Sequence, residues 1–174
     1  MIRRTLIAAL VAACALPAVA ATPVDSKSAV LDALDTFCKP FIAGTPSEAQ
    51  VRAKAEAAGW RYSLGQPYRQ GDWGRINVIY GHDGCTVTVP VGSARGREAA
   101  ILDAAGAWAR KNGYSLKAPR ATKAGPGPAP GIYDTLAEDW VRPDGAFPMG
   151  LRGYVNRRKP GMLIPDVSIY IYPK

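Results

Sequence analysis

The chain has 174 residues, 48% of them apolar and 21% charged, with a formal net charge of +8. Those proportions suit a globular protein of one domain that can bury a real core. No segment reaches the roughly 20 consecutive apolar residues of a spanning helix, which argues against a permanent helical membrane anchor.

The first twenty residues read as an export signal. Arg3 and Arg4 form a positive start, Leu6 to Leu16 an apolar run, and Ala18-Val19-Ala20 a small-x-small cleavage site before Ala21. Val11-Ala12-Ala13-Cys14 offers a second reading, in which Cys14 is acylated. The apolar run continues past Cys14 to the better-formed site, so cleavage after Ala20 is preferred. The expected location is therefore the periplasm or the exterior, with 21–174 as a single domain. Removing Arg3 and Arg4 with the signal lowers the net charge to +6. A positive surface attracts anionic envelope components, and export argues against nucleic acid as a partner. Cys38 and Cys85 remain as an even pair in an oxidising compartment, where a disulfide is the simplest outcome.

In chain order, Val30, Leu31, Leu34, Phe37 and Cys38 recur at helical spacing over Ser28–Cys38, and Pro40 is expected to stop that helix. Thr45-Pro46-Ser47-Glu48 reads as a capping box, with Thr45 as the cap. An alanine-rich helix follows to Ala58, with Gly59 as its terminator. The period then changes. Arg75–Tyr80 and Cys85–Val91 are β-branched runs about the turn Gly81-His82-Asp83-Gly84, a predicted hairpin. Ser93 offers the cap of a helix carrying Ile101, Ala104, Ala105 and Trp108, which Asn112-Gly113 closes. The stretch 117–131, rich in proline and glycine, reads as an exposed connection. Three strand-like runs finish the chain: Ile132–Val141, Phe147–Asn156 and Met162–Tyr172. The predicted fold is α+β: an antiparallel sheet of five or six strands with helices on one face. Helix, Gly59-Trp60 and strands are echoed by helix, Gly113-Tyr114 and strands, which suggests a duplicated unit.

Chemistry is sparse. One histidine, His82, and two paired cysteines leave no zinc ligand set and no serine triad, and no cofactor motif is present. Gly92-Ser93-Ala94-Arg95-Gly96 could hold one anion at a helix start. Glu138, Asp139, Asp144 and Asp134 are the carboxylates a glycosidase could use, but Glu138 and Asp139 are adjacent and would point to opposite faces of a strand. From Trp60 to Arg75, rings and arginines interleave: Trp60, Arg61, Tyr62, Tyr68, Arg69, Trp73 and Arg75. Between Gly65 and Gly74 this stretch reads as a loop, which would put Tyr68, Arg69 and Trp73 forward as contact residues. The function expected is a small exported binding or inhibitory module without catalytic residues. Its partner would be an anionic or sugar-bearing envelope component, or a protein. The alternatives are a carboxylate-dependent hydrolase of an envelope polymer and a structural envelope protein.

Overall fold

Glycine-bounded runs with alternating inward and outward residues build the centre of this molecule. A computed structural model describes residues 23–81, 84–92, 96–124, 133–146, 148–156 and 166–172. The export signal, His82 and Ser93 fall outside them, and the helix expected to be capped by Ser93 starts at Arg97 with Gly96 (φ +85°) at its cap position instead. Eight strands form one sheet: β1 (Arg61–Ser63), β2 (Gln66–Gly71), β3 (Gly74–Gly81), β4 (Gly84–Pro90), β5 (Ser115–Ala124), β6 (Tyr133–Val141), β7 (Met149–Asn156) and β8 (Asp166–Ile171). Their spatial order is β1-β2-β3-β4-β8-β7-β6-β5, antiparallel throughout. Two four-stranded meanders therefore meet at the β4–β8 seam, where Val87 pairs with Ile169.

The sheet is larger than the five or six strands expected, because β1, β2 and β5 are strands. Residues 66–71 read as loop because they are polar. Their alternation is nevertheless real, since Pro67 and Gly71 are buried and Tyr68 and Gln70 project the other way. Residues 117–124, expected in an exposed connection, belong to β5. It tolerates Pro119 because it is a sheet edge with register shifts on either side of Ala118.

The helices all pack on one face. Ser26–Ala33 (α1), a wide π turn at Leu34–Cys38 and Lys39–Ala43 (α2) run on as one rod. Pro40 does not stop it. A proline lacks an N–H and clashes with the carbonyl four residues back, and the π turn ends where Pro40 begins a new helical turn, at its tolerated first positions. Cys38 leaves this rod toward β4 and is bonded to Cys85, both fully buried. Glu48–Ala57 (α3) is capped by Ser47, two residues later than expected. The Ser47 hydroxyl accepts from the Gln50 amide, and the Gln50 side chain accepts from the Ser47 amide in return. Arg97–Lys111 (α4) lays Ile101, Leu102, Ala105, Trp108 and Ala109 on the sheet. Gly106 lets it approach closely: a Cβ there would sit 3.0 Å from Cζ2 of Trp140.

Both helix ends that lead into a meander close the same way. Gly59 (φ +70°) and Gly113 (φ +82°) take the left-handed conformation. Trp60 then donates its amide to Ala55 O, and Tyr114 donates its amide to Ala109 O. The core beneath the helices comprises Ile76, Val78, Val87, Val89, Leu151, Val167, Ile169 and Ile171 from the strands, and Val30, Leu34, Phe37 and Phe41 from the rod.

Candidate functional site

Because the helices among the described residues cover one face only, alternate residues of the strands line a second face opposite them. Register places Arg61, Tyr68, Asn77, Thr88 and Ser168 in one row across β1, β2, β3, β4 and β8. A neighbouring row holds Ile79, Thr86, Tyr170, Gly150 and Asp139. Ile79 is 45% exposed on this face. The densest cluster lies across β2 and β3. The Arg75 guanidinium stacks 3.8 Å from the centroid of the Tyr68 ring, and its Nε donates to Asn77 Oδ1 at 2.8 Å. Arg61 stands directly opposite Tyr68, so the β1–β3 end of the face is cationic.

The structure separates the three residues that the sequence grouped. Tyr68 is on the open face. Arg69, next along the strand, points to the helix side, where Nη1 donates to Asp32 Oδ2 at 2.9 Å and Nη2 to the Ala58 carbonyl. Its guanidinium lies 4.9 Å from the Trp60 ring, and Trp60 Nε1 donates to the same Asp32 oxygen. Trp73 sits in the tight β2–β3 turn, partly buried, with Arg97 5.0 Å from its ring. That turn is tied to the start of α1, because Asp72 Oδ1 accepts from the Ser26 amide. Arg75 and Asn77 complete the Tyr68 cluster and were not singled out with it as contact residues. The signal that finds them is the two-residue step from Arg75 to Asn77 in a strand whose Ile76 and Val78 face the core.

The carboxylates do not converge. Glu138, only 7% exposed, accepts from Arg120 Nε at 2.6 Å and from Trp140 Nε1 at 3.2 Å beneath α4, while Arg120 Nη2 also donates to Asp103. Asp139 lies on the opposite face. Asp144 caps its own turn by accepting from the Ala146 amide and pairs with Arg142 at 3.1 Å. The side chain of Asp134 and the loop Ser93–Arg95 lie outside the described residues. A groove of about 430 Å³ opens at the β1–β2 hairpin between Pro46, Val51, Tyr62, Leu64 and Tyr80, and among the described residues Glu48 is the one carboxylate lining it. Among the described residues, no three His, Cys, Asp or Glu side chains are grouped to hold a metal, and no helix is long and apolar enough to cross a membrane.

Comparison with protein-family models, with curated proteins and with solved structures finds no match to this chain.

Proposed function

We propose that this is an exported recognition module, binding or inhibitory, that docks an acidic protein surface on the open face of its sheet. The observation that carries the reading is the Tyr68–Arg75–Asn77 cluster on the face opposite the helices. An aromatic ring stacked by an arginine combines a rigid contact area with a charge and spare donors, the combination that dominates protein interfaces. The exposed part of the face lies toward β1–β3, since Ser168 and Ala137 farther along the sheet are only 5% and 4% exposed. The cationic end, with Arg61 and Arg75, favours an acidic partner and speeds encounter at low salt. Export itself rests on the N-terminal signal in the sequence and is compatible with the buried disulfide.

The same reading covers the architecture. The matched helix ends at Gly59-Trp60 and Gly113-Tyr114, each leading into a four-stranded meander, support descent from one duplicated unit. Duplication would provide a face twice as wide as one unit could offer.

The test is affinity capture from a native envelope extract by the immobilised mature protein. Tyr68→Ala with Arg75→Ala should leave the fold intact and weaken capture of an acidic protein at least tenfold, with wild-type capture falling as salt rises. Unchanged capture by the folded double variant overturns the open face as the site. Capture of protease-resistant polysaccharide in place of protein overturns the choice of partner.

A further inference from the structure

A second concavity, of about 360 Å³, lies on the helix side of the sheet, where three elements meet. Lys39, Ile42 and Ala43 come from α2, Trp108 and Asn112 from the end of α4, and Arg142 follows β6. Its chemistry divides in two. Ile42, Ala43 and the Trp108 ring form an apolar part, and the charged groups lining it are both cations, Lys39 and Arg142.

Each nearby acidic group has a hydrogen-bond partner, although Asp35, bonded to a neutral donor, keeps its charge and faces solvent. Asp35 accepts from Trp108 Nε1 at 2.9 Å, which fixes the indole. Asp144 takes Nη2 of Arg142, but a guanidinium carries five N–H donors, so one ion pair does not exhaust it. Beside Trp108, with ring centroids 6.2 Å apart, Tyr114 is only 3% exposed, and its hydroxyl has no hydrogen-bond partner among the described residues. Burial raises the pKa of that hydroxyl to about 12, and it feels both Arg142 and Asp144, so it shares their neighbourhood. A buried hydroxyl without a partner is costly in a folded protein.

We infer that this concavity is a binding site for a small amphipathic anion, with the carboxylate or related head group between Lys39 and Arg142 and the hydrocarbon against Ile42 and Trp108. The volume is at the small end of ligand sites, which suits one short chain or ring. Two cations beside an apolar floor select for charge and hydrophobic body together. This site is independent of the open sheet face and stands whether or not a protein docks there.

Octanoate is the probe, titrated into the ¹⁵N-labelled protein. Saturable shifts should appear at the Trp108 indole N–H and the Asn112 side-chain amide. Octyl glucoside, with the same tail and no charge, should bind at least tenfold more weakly. Lys39→Gln, at an exposed position where the fold is not at risk, should weaken octanoate at least tenfold, as should Arg142→Gln. Absence of saturable binding overturns the proposal, as does equal affinity for octyl glucoside or an undiminished response in Lys39→Gln. Sedimentation with phosphatidylglycerol vesicles, without any response to monomeric octanoate, would also overturn it by making the ligand a membrane surface.

Discussion

Arg69 is held by Asp32, by the Ala58 carbonyl and by the Trp60 ring, whereas Tyr68 beside it touches Arg75 on the far side of the sheet. Their alanine variants should therefore behave in opposite ways. Arg69→Ala removes the cation paired with Asp32, which keeps its bond from Trp60, and leaves the Ala58 carbonyl without its guanidinium donor, and we expect it to cost about 1–3 kcal/mol in urea unfolding. Tyr68→Ala loses the stacking contact of a partly buried ring with the exposed Arg75 and should cost less than about 1 kcal/mol. A larger loss from Tyr68→Ala would make that ring structural and remove the basis of the proposed docking face. Sequence spacing grouped these two residues because both are large and lie close together. It could not show that Asp32, far away in the chain, claims one of them. Leu64 is a different case. It is 97% exposed at φ +52°, beside Gly65 at φ +78°, in the two-residue β1–β2 turn. That turn favours Asn at the leucine position, so Leu64→Asn should raise stability by up to about 1 kcal/mol in the same assay. An unchanged or lower urea midpoint would mean that the turn does not hold Leu64 in the left-handed conformation.

Among the elements, β3, β4 and β8 were legible from their β-branched residues, and β6 and β7 as strand-like runs set off by turns. So were the α3 and α4 terminators at Gly59 and Gly113 and the disulfide pairing. What hid β2 and β5 was their polarity. Each is at or next to a sheet edge, where one flank is solvated and hydrophobic alternation is not required. Pro119, Lys117 and the register shifts that made β5 look like a connection are the features that blunt an edge against pairing with other chains. The capping box was found in the right place but two residues early, because Thr45 and Ser47 are both plausible caps and only the Gln50 partner decides between them. The seat of α4 was not legible at all, since Gly106 reads as a weak point in a helix. It is the contact point with Trp140. Gly106→Val should destabilise by about 1–3 kcal/mol through overpacking. Gly106→Ala should be milder, because the better helix former offsets part of the strain. A tolerated valine would show that α4 does not rest on Trp140.

Over the whole molecule, two linkages can be measured. The Cys38–Cys85 bond closes a long loop, and in the chain-entropy model it contributes about 4 kcal/mol by restricting the unfolded chain. The double alanine variant should lose stability of that order, and the native bond, fully buried, should resist reductant until the protein unfolds. The second linkage is alkaline. Burial raises Tyr114 from the ordinary value of 10 to about 12 and pushes Tyr80 up as well. A phenol with a raised folded pKa keeps its proton longer in the folded state, so stability is intact below pH 10 and declines as pH rises from 10 toward 12. The slope is up to about 1.4 kcal/mol per pH unit for Tyr114. Tyr114→Phe should flatten that part of the decline, and an unaltered alkaline profile would mean that the hydroxyl is not buried in solution. The β4–β8 seam has a further consequence, for the time order of folding. Strand β4 is made early and β8 last, and the central pairing of the sheet joins them. Until β8 has been made and paired, the first meander carries an unpaired edge rich in valine and threonine, the kind of edge that invites aggregation. Deleting β8 should therefore leave two half-sheets with sticky margins instead of a slightly smaller protein, so β8 is the strand that joins the two meanders into one sheet.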